Sequence, residues 1–171
     1  MFEINDVVVY GQNGVCHVVD VCPSPFDKKD TRDFYVLCPA LNTDRSTIYV
    51  PVEAAEGRIR PLMTADEAKA LLARIEEIAP LAVEAEKMRR DLYRQAVTEA
   101  RPEGYVAVLK AVARRRADAL RAKRQLAGAD AEYEQKAKTI LSMELSYALG
   151  GDAKDYAASL MERVSVGVCM L

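Results

Sequence analysis

The hydrophobic period of the chain changes once, near residues 57–64, and this single switch limits the folds open to it. Before the switch stand four short runs rich in β-branched and aromatic residues: Val7-Val8-Val9-Tyr10, Val15-Cys16-His17-Val18-Val19, Phe34-Tyr35-Val36-Leu37 and Thr47-Ile48-Tyr49-Val50. Turn formers separate them: Gly11 with Asn13-Gly14, then Pro23-Ser24-Pro25, then Asn42-Thr43-Asp44. Asn13-Gly14 favours positive φ at both positions and suits a tight hairpin. Four or five strands in about sixty residues cannot make a large sandwich, so they predict a small, strongly bent barrel or roll.

After the switch the period is helical. Thr64 followed by Glu67 is a capping-box pattern, and Ala68, Leu71, Leu72, Ile75 and Ile78 then line one face. Pro80, Pro102, Gly128 and Gly150-Gly151 mark breaks, which predicts helices near 65–78, 81–100, 103–126, 129–149 and 153–163. Met88, Leu92, Ile140, Leu141, Leu145 and Leu149 recur at helical spacing and read as core. The expected fold class is therefore α+β, with a β module over residues 1–60 and an all-α bundle over residues 64–165.

Charge is segregated along this layout. Residues 87–124 hold twelve Lys and Arg against four Asp and Glu, whereas the segments on either side are acidic, so a whole-chain net charge of −2 conceals a basic block. On a continuous second helix Lys87, Arg90, Arg94 and Arg101 share one side, opposite Leu81, Ala85, Met88, Leu92 and Ala96. On the third, Lys110, Arg114 and Arg121 share an arc beside the stripe of Val106, Leu109, Ala113, Ala117 and Leu120. Crowded cations repel one another unless something anionic lowers their energy, and a nucleic acid does so while releasing counterions. The same pattern on a chain with no anionic partner is a solvated helix face.

Enzyme chemistry finds little support. His17, the one histidine, lies between Cys16 and Val18; adjacent strand residues point to opposite faces, so Cys16 and His17 cannot act as nucleophile and base. Cys16, Cys22 and Cys38 lack the paired spacing of a zinc site and, with Cys169, are too scattered for a disulfide scaffold. Gly11-Gln12-Asn13-Gly14 has no following helix or Walker lysine, and Glu76-Glu77 reads as a solvated face. No metal, cofactor or small-molecule substrate is expected. No uncharged apolar run approaches the length of a membrane span, and MFEINDVVVYG lacks a basic segment before a long apolar one, so a cytoplasmic location is expected. In the TIYVPV strand, Tyr49 faces away from Ile48 and Val50 and is a candidate for a protein-binding face.

The order of parts resembles the CarD/CdnL family of bacterial transcription regulators. The likeness is carried by the opening F-x-I-x-D-V-V-V-Y-G-x-x-G-V, by Tyr35-Val36-Leu37, by Thr47-Ile48-Tyr49-Val50-Pro51-Val52 and by Ile59-Arg60. It continues through Lys87-Met88-Arg89-Arg90 and the basic helix to Glu134-Gln135-Lys136-Ala137-Lys138-Thr139-Ile140-Leu141 and Glu144-Leu145, covering about residues 1–149. The resemblance implies a Tudor/SH3-like barrel that docks on the RNA polymerase β subunit. It also implies a helical module that contacts promoter DNA and favours the open complex. By position, Ile48, Tyr49 and Val50 would take the docking role. Lys87, Arg89, Arg90 and Arg94, with Arg101, Lys110, Arg114 and Arg121, would take the DNA role. Two departures stand out: some relatives have Arg where Tyr49 stands, and many carry a Trp near position 87, whereas this chain has Lys87 and no Trp. Lys binds phosphate and does not wedge between bases, which implies weaker stabilisation of melted DNA and a steeper salt dependence. The competing reading is an interaction module whose basic helices bind an acidic protein or RNA.

Overall fold

The computed structural model describes residues 1–41 and 46–169, with side chains to residue 166. The expected turn at Asn42-Thr43-Asp44 lies outside the described residues. The chain divides into two compact units, Met1–Leu62 and Met63–Leu171.

The first unit is one antiparallel sheet of five strands: β1 (Val7–Tyr10), β2 (Gly14–Pro23), β3 (Asp33–Pro39), β4 (Ile48–Pro51) and β5 (Ile59–Pro61). Their spatial order is β4-β3-β2-β1-β5. Cross-strand pairs such as Val8↔Cys16, Val18↔Leu37 and Tyr35↔Val50 put their side chains on one face, where with Ala55 and Ile59 they make the core. A bulge between Val18 and Asp20 bends β2, yet the sheet does not close into the expected barrel. Closure needs edge strands long enough to pair in a consistent stagger, and β4 and β5 have four and three residues. The hairpin between β1 and β2 also departs from the expected two-residue turn. Gly11–Asn13 forms a 3-10 turn, and the positive φ values fall on Gly11 (44°) and Gly14 (70°) instead of on Asn13.

The second unit is all helical: α1 (Ala65–Ala73), α2 (Arg89–Thr98), α3 (Pro102–Arg121), α4 (Gly128–Leu149) and α5 (Ala153–Cys169). The capping box is present, with Glu67 N–H donating to Thr64 Oγ1 at 3.2 Å and Thr64 N–H to Glu67 Oε2 at 2.7 Å. α3 opens with Pro102 at its first turn, where the missing N–H costs nothing. Tyr93, Tyr105, Leu109, Leu141, Leu145 and Leu160 fill the centre.

Four helices differ from expectation: α3 ends at Arg121 and not at 126, α5 runs on to Cys169 and not only to 163, and the first two differ more in kind. α1 stops at Ala73 and gives way to a 3-10 turn, Ile75–Glu77. The second helix begins at Arg89 and not at 81. Leu81, Val83 and Ala85 are half-buried while Ala82, Glu84 and Glu86 are exposed, a period of two. This stretch is non-helical, extended at Ala85 (φ −125°, ψ 120°), with Leu81 N–H donating to Ala107 O in the side of α3 at 3.0 Å. Ala100, at φ 56°, then separates α2 from α3.

Candidate functional site

In the sheet unit the β4 edge carries the docking candidates. Tyr49 is 38% exposed; Ile48 is half-buried and Val50 lies in the core, so of the three docking candidates Tyr49 alone turns its side chain substantially outward. β4 can still present backbone groups to a partner strand through its free side. A residue that the sequence reading missed enlarges this edge. Phe26, 72% exposed, sets its ring edge-on to Tyr49 at 5.4 Å and to Phe34 at 5.9 Å. Its loop is shaped by its own side chains. Asp27 accepts from Lys29 N–H at 2.9 Å, and Arg32 donates to both oxygens of Asp30 at 2.8 and 2.7 Å. The hydrogen bond from Arg32 holds the Asp30 carboxyl down at about 2. The Arg32 guanidinium also stands 5.8 Å from the Phe34 ring centre. A lone aromatic in a Ser-Pro-Phe-Asp turn was the signal available in the sequence.

In the helical unit the basic block does not form two uniform stripes. Because helix α2 begins at Arg89 and ends at Thr98, Lys87 sits in a preceding 3-10 turn (Glu86–Met88) and Arg101 caps α3, so the shared arc expected on one helix does not exist. Lys110 is a clear correction: it is 6% exposed and donates from Nζ to Ile78 O at 2.7 Å and to Glu76 O at 3.0 Å. Burial pulls its ammonium below the ordinary lysine value. Lys110 is thus an internal cap for the turn after α1 and does not face solvent. Met88, expected in the core, is 48% exposed beside Lys87.

Arg89 also turns inward. Its Nε lies 2.9 Å from Asp130 Oδ1, and its guanidinium meets Glu86. Arg115 reaches the same two acids, donating to Glu86 Oε1 and Oε2 at 2.7 and 2.6 Å and to Asp130 Oδ2 at 3.4 Å. Asp130 is 2% exposed, and Tyr93 packs near it with its hydroxyl pushed up to about 12, chiefly by burial and then by the Asp130 charge. The Arg115 hydrogen bonds lower the Glu86 carboxyl. Arg116 pairs with Glu134. These acids lie outside the basic block in sequence and return to it in space.

What remains on the surface is a smaller set. Arg90 and Arg94 are exposed on α2, in solvent-facing pairs with Glu132 (3.5 Å) and Asp91 (2.6 Å). Arg121 is exposed on α3 with Asp118 at 3.5 Å. Among the described residues, Lys87, Arg101, Arg114, Lys123 and Arg124 are exposed and have no carboxylate partner. Exposed pairs contribute about 0–1 kcal/mol each, so they yield readily to a polyanion.

The exposed features are thus an aromatic-flanked edge on the open antiparallel sheet and, further along the chain, a set of surface cations on the helical unit. Residues 2–63, all but the first residue of the sheet unit and the first residue of the next, match the family model for the CarD-like/TRCF RID domain. The N-terminal unit is thus similar to the CarD-like/TRCF RID domain over a little more than a third of the chain. That domain family is an RNA polymerase-interacting one, which points to a transcription-related role for the sheet unit. No curated protein matches the chain. The family match ends at Met63, so the helical unit has only its own geometry to speak for it. No helix among the described residues is long and apolar enough to cross a membrane.

Proposed function

We propose that this protein is a transcription regulator that binds the RNA polymerase β subunit through the β4 edge and promoter DNA through the helical unit, and so modulates the stability of the open complex. One observation carries the reading. A polymerase-interacting domain shares its chain with a unit whose Lys87, Arg90, Arg94, Arg101, Arg114 and Arg121 are exposed and either unpaired or held in weak surface pairs. Lys and Arg of this kind bind phosphates and position a protein on a duplex without reading its sequence. Joining two modest contacts in one chain raises the effective concentration of the second, so neither must be strong alone. Met88, exposed next to Lys87, adds an apolar surface of the kind that packs against an unstacked base step.

The test has two arms. Tyr49→Ala with Phe26→Ala abolishes capture of the β subunit while leaving DNA binding intact. Lys87→Ala, Arg90→Ala and Arg94→Ala together shorten the open-complex lifetime measured in competitor challenge while leaving capture intact. Capture unaffected by the first pair removes the docking assignment. An unchanged lifetime with the triple variant removes these DNA contacts, and binding of an acidic protein or RNA in preference to a promoter fork favours the interaction-module reading.

A further inference from the structure

We propose that Arg89 and Arg115 form a phosphate-binding fork whose internal occupant is Glu86, so that a DNA phosphate engages the helical unit by displacing this carboxylate. The inference rests on the DNA reading above and adds a site and its regulation. Two guanidinium groups from different helices converge on one carboxylate: Arg115 donates to both Glu86 oxygens at 2.7 and 2.6 Å, and Arg89 reaches one of them. A phosphodiester presents a similar pair of anionic oxygens and accepts the same forked donors.

The two acids that share these arginines differ in one decisive respect. Asp130 lies beneath them, 2% exposed, with Arg89 Nε at 2.9 Å and Arg115 Nε at 3.4 Å, so it fixes their orientation from inside. Glu86 closes the fork from outside with its side chain 64% exposed. Its backbone belongs to a single 3-10 turn that follows the extended Ala85 and precedes α2. Withdrawing Glu86 therefore requires a side-chain rotation into water and leaves the buried pairing in place. The donors are held on firmer parts, Arg89 at the first position of α2 and Arg115 within the 20-residue α3.

The surroundings suit an anion. α2 has no side-chain cap at its N-terminus, so its first-turn N–H groups add positive potential beside Arg89, offset in part by Asp91 in the same turn, which is itself paired with Arg94. Lys87 and Arg90 flank the turn on the surface. Arg115 and Arg124, with Asp130, also line a cleft of about 310 Å³ at the turn between α3 and α4, on the Arg115 side of the fork. In the same cleft, Asp118 is the acid on the solvent side, and it is paired with Arg121 at 3.5 Å. Glu86 is ionised at neutral pH, its carboxyl lowered mainly by the Arg115 hydrogen bonds, so it competes with phosphate as a full charge.

The experiment titrates the full chain against a labelled promoter-fork duplex at several salt concentrations, comparing wild type, Glu86→Gln, Glu86→Ala and Glu86→Gln with Arg115→Gln. Both single variants leave Asp130 under the arginines, and melting curves verify that they fold. The expected result is DNA binding about tenfold tighter for either single variant. The slope of log affinity against log salt becomes steeper by about 0.9 for each phosphate gained. The double variant loses the gain. Wild-type binding with no tightening in either single variant, or tightening that persists in the double, overturns the fork while the DNA reading stands. Absence of binding by wild type and every variant overturns both, and binding by the two single variants alone supports a fork fully closed in the wild type.

Discussion

The contrast between Asp130 and Glu86 makes a sharp stability prediction, because the two carboxylates serve the same arginines at different depths. Asp130→Asn removes the buried charge while keeping the side-chain volume. Arg89 and Arg115 then face a neutral amide at 2.9 and 3.4 Å, with Arg89 itself only 15% exposed at its side chain. Removing one member of a buried ion pair costs about 3–5 kcal/mol, and the lower end applies because Glu86 still neutralises both guanidinium groups from outside. For a unit of this size about 3 kcal/mol lowers the melting temperature by on the order of 12 °C. Glu86→Gln breaks contacts at an exposed, solvent-screened carboxylate and leaves the melting temperature much closer to wild type than Asp130→Asn does. The assay is urea and thermal unfolding of the full chain followed by far-ultraviolet circular dichroism, whose helical signal reports the second unit. A double-mutant cycle of Asp130→Asn with Arg89→Met should give a coupling above about 1 kcal/mol, as expected for residues in direct contact. Asp130→Asn within about 1 kcal/mol of wild type, or simple additivity in the cycle, would refute the claim that burial makes Asp130 the anchor.

Three further outcomes follow from the same geometry. Lys110→Met keeps the apolar stem but strips a donor from Glu76 O and Ile78 O, so it lowers unfolding stability by about 1–3 kcal/mol while leaving DNA affinity and its salt slope unchanged; a reduced slope would return Lys110 to the surface set. Glu86 has a lowered carboxyl pKa in the folded state, so its contribution is fully present above the unfolded value of about 4.3 and fades as pH falls below it. The stability gap between wild type and Glu86→Gln therefore shrinks on acidification from pH ~6 to ~3 in urea midpoints, and a constant gap contradicts the assignment. Burial first, and then nearby Cys38, pushes the Cys16 thiol up to about 12, so alkylation of the native protein at pH ~8 modifies the half-buried Cys22 and Cys38 before Cys16 by peptide mass spectrometry. Early labelling of Cys16 would contradict its place in the core.

The division of the chain into strands and then helices was legible because it is written in local periodicity. The Thr64/Glu67 capping box needs only four neighbouring residues, and the outward position of Tyr49 follows from strand alternation. The non-helical stretch before α2 was only half written locally, since Val83 and Ala85 alternate with Glu84 and Glu86 but Leu81-Ala82-Val83 is uniformly apolar. Closure of the sheet was not legible, since pairing between β4 and β5 depends on strand length and stagger and not on which residues are apolar.

The charge block shows the boundary most plainly. Sequence alone determined that twelve cations fall within residues 87–124 and that the acids stand mostly outside. Only the packing of α3 against α4 and the placement of the turn before α2 decided which cations reach solvent. Arg115 finds Glu86 across 29 residues and Asp130 across 15, Arg116 finds Glu134 across 18, and Lys110 finds the carbonyls of Glu76 and Ile78 across 34 and 32. Electrostatic attraction falls with distance through space, and distance along the chain says little about it once helices fold back on one another.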